Sequence, residues 1–159
     1  MIHILEGSVD PDRFAHEVGV NKLVVTKESA CSTGLTSCIG FVALGGEKNV
    51  IGHFSDIAIR ESEGKNKFVD VVYRAALNNA SRYVLLGGAP YWQNGVNTTL
   101  QDRYFAIAFL NTHRSPHSEF DTKWTPEGMA IDFSVHPSKP GEPGDVEVYL
   151  HSAVELQVA

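Results

Sequence analysis

Cys38-Ile39-Gly40-Phe41-Val42-Ala43-Leu44-Gly45-Gly46-Glu47-Lys48-Asn49-Val50-Ile51-Gly52-His53-Phe54 is the stretch from which the rest of the chain is read outward. Ile39 to Leu44 is an apolar run of strand length and reads as a buried strand. Gly45 to Asn49 is a cluster of turn residues, and Val50 to Phe54 reads as the return strand of a hairpin. With Gly46-Glu47 as a two-residue turn, Gly45 faces Lys48 and Cys38 faces Ser55. His53 is then the diagonal neighbour of Cys38 on the same face, about 7–8 Å away between backbones. A shift of one residue in register would carry His53 to the opposite face.

Before the hairpin, residues 1–6 read as a first strand and Asp10-Pro11-Asp12 as a turn capping a brief helix over 12–18. Lys22 to Thr26 reads as a strand by its β-branched content. Lys27 to Ser37 is rich in Ser, Thr and Gly and is expected to be irregular, with free backbone N–H groups. After the hairpin, Lys65 to Ala80 is the clearest helix. Phe68, Val71, Val72, Ala75 and Ala76 recur at helical spacing, and Asp70 precedes Arg74 as an i,i+4 ion pair requires.

Arg82 to Leu86 reads as a strand ending at Gly87-Gly88-Ala89-Pro90, and 94–97 as a loop. Thr98 with Gln101 makes a capping box for a helix running to about Thr112. Apolar residues surround most of that helix (Leu100, Tyr104, Phe105, Ile107, Phe109, Leu110), which predicts burial on most sides. Residues 114–127 read as a long loop. Met129 to Val135 reads as an alternating strand, 137–144 as a Pro/Gly loop, and Val146 to Val158 as one long or two short strands. There is no internal repeat and no linker, so residues 1–159 read as a single domain. Strands and helices do not alternate strictly, which favours α+β over a doubly wound sheet.

A chain of 159 residues with 43% hydrophobic and 20% charged residues has the composition of a soluble globular domain with a real core. A formal charge of -6 argues against a nucleic-acid partner, because phosphate binding needs a basic surface. It fits a protein or small-molecule partner better. No run approaches the ~18 apolar residues of a membrane span. The first residues, Met1 to Glu6, lack the basic region and apolar core of a signal peptide. Cytoplasmic synthesis is therefore expected, or export by a route that reads no such signal.

The chain has two cysteines, too few for a disulfide framework. Their spacing permits a Cys31–Cys38 bridge, which a reducing compartment disfavours. Cys38 has two readings: a buried structural thiol, or a nucleophile. A nucleophilic thiol attacks as thiolate and needs an imidazole or oriented N–H groups to lower its pKa. The Gly- and Ser-rich turn before Cys38 could supply such N–H groups and an oxyanion hole. His53 is either a histidine closing a strand end or the general base and acid for Cys38.

Other candidates are weaker. His113 and His117 are spaced to share a helical face as zinc ligands would, but Pro116 breaks that helix and no further ligand lies at metal-site spacing. Gly45-Gly46 and Gly87-Gly88 match no phosphate-loop pattern and read as tight turns. Neither a metal nor a cofactor is expected. Tyr91-Trp92 and Trp124 fall in predicted loops and are either packed or part of a substrate surface.

Ser32-Thr33-Gly34-Leu35-Thr36-Ser37-Cys38, followed by a strand, a turn and Ile51-Gly52-His53-Phe54, resembles the active-site block of the CheD family of chemoreceptor glutamine deamidases. That family has Thr-Leu-Gly-Leu-Gly-Ser-Cys before a Gly-x-x-His strand. Leu35-Thr36-Ser37-Cys38 is also similar to the Leu-Ser-Gly-Cys of two deamidating toxins, cytotoxic necrotizing factor and Burkholderia lethal factor. Val84-Leu85-Leu86-Gly87-Gly88-Ala89 resembles the family's strand ending in Gly-Gly-Ala. The likeness touches about residues 30–110 in order.

The resemblance implies a mixed, largely antiparallel β-sandwich flanked by helices, in α/β/β/α layers. It implies Cys38 as nucleophile, His53 as base, and Ser32, in place of a family threonine, as the group that orients His53. The expected activity is conversion of a glutamine of a target protein to glutamate through a thioester. Serine at 32, Thr36 in place of a glycine, and a C-terminal third without family pattern point to a divergent member. A toxin-like effector fits these departures better than an orthodox chemotaxis enzyme, and a monomer is favoured. The alternatives are a non-catalytic protein-binding module of the same fold, or a thiol peptidase or transglutaminase using the same dyad.

Overall fold

The computed structural model describes residues 2–137 and 144–152. The first strands are β1 (Ile2–Glu6), β2 (His16–Glu17), β3 (Lys22–Thr26), β4 (Ala30–Leu35), β5 (Ile39–Leu44) and β6 (Asn49–Phe54). Helix α1 (Glu63–Leu77), β7 (Arg82–Gly87), the short strands β8 (Trp92–Gln93) and β9 (Val96–Asn97), and helix α2 (Thr99–His113) follow. The chain continues with β10 (Glu119–Trp124), β11 (Met129–Val135) and β12 (Val146–Ser152). The part of the expected last strand beyond Ser152 and most of the expected 137–144 loop lie outside the described residues.

The strands form two five-stranded sheets. The first has the order β1-β12-β11-β4-β2, the second β10-β7-β5-β6-β3, and β8-β9 is a separate ribbon. Pairs β1/β12, β7/β10 and β2/β4 are parallel, and the other pairs within the two large sheets are antiparallel. The architecture is α+β with mixed sheets.

The hairpin decides which way each side chain points. Gly40 pairs with His53, Phe41 with Gly52 and Val42 with Ile51, the register expected from a Gly46-Glu47 turn. Alternation along β5 then separates two cores. Val42, Leu44 and Ile51 join Leu35, Val84, Leu86, Phe133 and Val135 between the sheets. Phe41, Ala43 and Val50 face the other way and pack with Phe68, Val71 and Ala75 of α1 and Ala106 and Leu110 of α2. β5, β6 and β7 are buried along their whole length. That is why Ile39 to Leu44 has no polar alternation. Phe68 centres the helical core, edge-on to Phe41 and Phe54. Each such fully buried phenylalanine contributes about 2 kcal/mol.

Both helices contribute to the core on one face of the second sheet. The layers are helix, sheet, sheet, and the fourth, helical layer of the α/β/β/α expectation is not formed among the described residues. Its one candidate near the first sheet, 12–18, is shorter than read. Asp10 caps only a 3₁₀ turn, Pro11–Arg13, and His16 and Glu17 then join β4 as β2.

Other segments also differ. Residues 30–35, expected to be irregular, form β4, because β11 and β2 flank it and satisfy its backbone. Residues 119–124, read as loop, form β10 on the edge of the second sheet. Thr98 makes no side-chain cap; Asn97 Oδ1 accepts from the Thr99 N–H at 3.2 Å. Helix α2 is also less buried than its apolar ring suggests, with Leu100 38% and Tyr104 67% exposed. Helix α1 matches its reading closely, with Ser62 as cap and Asp70 Oδ1 at 3.1 Å from Arg74 Nε.

Candidate active site

His53 lies near the end of β6 and points between the two sheets, since it pairs with Gly40 on the Val42–Ile51 side of the hairpin. Glycine is needed opposite it. A Cβ at Gly40 would come within 2.8 Å of Leu35 Cδ2 and 2.9 Å of Phe133 Cε1. The sheets close together here, and His53 is only 3% exposed.

Across that gap, Ser32 of β4 reaches His53. Its Oγ is 2.9 Å from His53 Nδ1 and donates to the Val18 carbonyl at 2.6 Å. One hydroxyl has one proton. With that proton on Val18 O, Ser32 Oγ accepts from Nδ1–H. Neutral His53 is thereby held as the Nδ1–H tautomer, with a lone pair on Nε2. Nε2 is buried and has no hydrogen-bond partner among the described residues. A buried ring nitrogen without a partner is costly as structure but is what a proton acceptor requires. The backbone of the same strand end is fixed by Asn21, whose N–H donates to His53 O at 2.6 Å and whose Oδ1 accepts from Ser55 N at 3.0 Å.

Cys38 stands just before β5, partly buried against the edge of the intersheet core. It therefore sits on the His53 side of the hairpin. It also lines an open pocket of about 230 Å³, together with Ser37, Ser55, Asp56, Tyr91 and Asp102. Cys38 and His53 do not hydrogen-bond to each other in this structure. Both cysteines are free, so the Cys31–Cys38 bridge that the spacing permitted is not formed. Cys31 is completely buried and lines no part of this pocket.

The strand ending in Gly-Gly-Ala supports the Cys38 loop. Gly88 N donates to Cys38 O and Ala89 N to Thr36 O, each at 2.8 Å. Gly87 has φ +80, and a Cβ there would lie 2.4 Å from Cys38 O. Glycine serves both the turn and the close approach. The ledge is held in turn by Arg103, whose Nε donates to Gly88 O at 2.8 Å while its guanidinium covers the Trp124 ring at 4.9 Å. Thr99 Oγ1 donates to Ala89 O at 2.9 Å. The carbonyls of Thr36 and Cys38 are thus engaged, and the N–H groups of Ser37 and Cys38 donate to nothing among the described residues. They are available to an oxyanion.

The electrostatics depart from the sequence reading. Burial, with smaller contributions from the charges of Asp56 and Asp102, pushes the Cys38 thiol up to about 11, where a lowered value was expected. Burial lowers His53 to about 4, partly opposed by the nearby Val18 carbonyl. The resting pair is thiol and neutral imidazole, not an ion pair. Asp56 and Asp102 carried no sequence signal, since one follows a strand and the other sits in a helix without a motif. Arg103 and Asn21 act through backbone carbonyls and amides, which sequence patterns do not reveal.

His113 and His117 line a different pocket with Tyr83 and Ser118. Trp124 is packed under Arg103, whereas Tyr91 and Trp92 are each 56% exposed. No family model matches the chain, and no curated protein matches it.

Proposed function

We propose that the protein is a cysteine-dependent amidohydrolase that converts a glutamine side chain of a target protein to glutamate. The observation that carries this reading is the Ser32–His53 contact across the sheets, which leaves a lone pair on Nε2 on the same side of the hairpin as Cys38. The reaction requires Cys38 Sγ to approach that nitrogen. His53 then takes the thiol proton, and the thiolate attacks the carboxamide carbon. The Ser37 and Cys38 N–H groups receive the oxyanion. His53 returns the proton to the leaving nitrogen, and ammonia departs. Water, deprotonated by His53, attacks the thioester and releases glutamate and the thiol. The net change is carboxamide plus water to carboxylate plus ammonium.

A protein substrate is favoured over free glutamine by what surrounds the pocket. Ile59 and Tyr91 line it and are 57% and 56% exposed. Trp92 and Val96 of the adjacent ribbon are exposed as well. Exposed apolar side chains beside a reactive thiol suit a docked chain. The resemblance of the Cys38 and His53 segments to the CheD and toxin deamidases supports the same reaction, and with it a place among effectors that act on a target cell's proteins.

One observation favours a second reading. The neutral thiol without a bond to His53 fits a binding module whose Cys38 is inert. The discriminating experiment is mass spectrometry of candidate target proteins for a gain of about 1 Da at glutamine, the amide-to-acid change. Ammonia is assayed in parallel, with Cys38→Ser as control. Conversion that depends on Cys38 supports the enzyme. Conversion at an equal rate by Cys38→Ser removes Cys38 from the mechanism.

A further inference from the structure

The Cys38 pocket has one sign of charge. Among the described residues the only charged side chains that line it are Asp56 and Asp102, and no lysine or arginine does. The two carboxylates are differently placed. Asp102 Oδ1 accepts from Ala58 N at 2.9 Å, and burial raises its pKa, with the charge of Asp56 adding to the rise. Asp56 uses its backbone carbonyl, which takes Ser62 Oγ at 2.7 Å and Ile59 N at 3.1 Å. Its carboxylate has no partner among the described residues. Tyr91, on the same pocket wall, offers an exposed ring face of the kind that attracts ammonium and guanidinium groups.

The carboxylates are not what marks this pocket as a binding site. The free thiol on its wall does that; His53, whose Nε2 has no partner among the described residues, stands on the neighbouring strand and does not line the pocket. The carboxylates bear on which chain enters. We propose that the pocket selects a glutamine flanked in its target by lysine or arginine, with Asp56 and Asp102 as the specificity-determining residues. The inference rests on the deamidase reading for what Cys38 does, but not for what the carboxylates bind.

Substrate selection and activation are then coupled. Burial keeps the thiol protonated, and the two negative charges of an empty pocket add to this. A substrate cation seated between them cancels the added repulsion. The thiol is then easier to ionise when the correct chain is bound. An enzyme built this way is quiet toward unrelated glutamines and toward small thiol reagents, which protects both the cell and the thiol.

The test uses Cys38→Ala, which binds without turnover, and three fluorescent peptides alike except at the residues flanking a central glutamine: lysine, alanine or glutamate. Anisotropy at low salt is expected to show the lysine peptide binding about tenfold tighter than the glutamate peptide, a difference of about 1.4 kcal/mol. Adding Asp56→Asn should remove most of that preference. Asparagine tolerates the φ of +53 at this position, so the backbone is kept. Adding Asp102→Asn should act in the same direction. Adding Glu47→Gln, a charge lost from the turn at the other end of the hairpin, should leave the preference unchanged. Equal binding of the three peptides overturns the proposal, as does an equal effect of Glu47→Gln and Asp56→Asn. Ammonia release from the same peptides by the unaltered protein reads the deamidase step separately. Lysine preference without ammonia defeats the deamidation and leaves the selectivity standing. Ammonia without charge preference defeats the selectivity alone.

Discussion

Ser32 has one proton to give, and the Val18 carbonyl takes it, so the histidine tautomer is decided at Ser32 and Val18 and not at the thiol. Ser32→Ala removes the acceptor from Nδ1–H and leaves the Val18 carbonyl short of a donor. The ring is then free to rotate or to move its proton to Nε2, where it cannot serve as a base. Ammonia release should fall by about 10²–10⁴-fold, the usual scale of a general acid–base contribution. Stability should fall by about 1–3 kcal/mol for the unsatisfied buried groups. Ser32→Thr keeps the hydroxyl and should recover most of the activity, which separates orientation from mere packing. Steady-state kinetics with a urea melt on each variant checks both. The thiol gives a second expectation at this scale. With its pKa near 11, Cys38 should alkylate slowly at pH 7, and the rate should climb about tenfold per pH unit until the thiol ionises. Cys31, equally raised but completely buried, should stay unlabelled in the folded protein. A Cys38 rate already on a plateau at pH 7, followed by mass spectrometry of iodoacetamide adducts, would contradict this electrostatic picture.

Among the elements, the β5–β6 hairpin is the one the sequence describes best. Its strands are apolar without interruption and its turn is short, so a single register buries everything, and that register puts His53 and Cys38 on one face. The expectation failed where tertiary pairing overrode local character. Ala30, Cys31 and Ser32 are completely buried, yet their segment reads as loop because small polar residues are as common in turns as in crowded strands. β10 is a polar edge strand whose alternation is weak, and only its pairing with β7 reveals it. Helix α2 carries apolar residues that the fold leaves in solvent beside the pocket, so its periodicity overstates its burial. The two carboxylates had no pattern to betray them. Gly87, read as part of a tight turn, was more legible, and set beside Gly40 inside β5 it separates packing from positioning. Gly40→Ala places a methyl against the side chains of Leu35 and Phe133 and should cost about 1–3 kcal/mol. Gly87→Ala meets the Cys38 carbonyl itself and also strains a positive φ. It should cost about 2–4 kcal/mol. It should also lower ammonia release measured well below the melting temperature, because the thiol loop must move. Gly40→Ala tests the gap between sheets; Gly87→Ala tests the ledge that carries the nucleophile.

For the whole molecule, the buried titratable groups set how stability depends on pH. His53 titrates near 6.5 when exposed and near 4 in the fold. Between those values the unfolded chain binds a proton that the folded one does not. Unfolding is therefore favoured as pH falls through this window, and the loss levels off below about 4. A shift of this size corresponds to about 3 kcal/mol. Cys31 and Cys38 act at the other end. Each titrates near 9 when exposed and near 11 in the fold, so between those values the unfolded chain has lost protons that the folded one keeps. Stability should decline as pH rises from about 9 to 11. Urea melts from pH 4 to 11 should thus give a curve that falls on both sides of a neutral plateau. His53→Gln should flatten the acid limb, and Cys31→Ser together with Cys38→Ser should flatten the alkaline one, whatever each substitution does to stability at pH 7. An acid limb of unchanged slope in His53→Gln would mean that the imidazole takes up its proton as readily in the folded protein as in the unfolded chain. The burial that leaves Nε2 without a partner would then not hold in solution, and the geometry on which the active-site reading rests would fail with it.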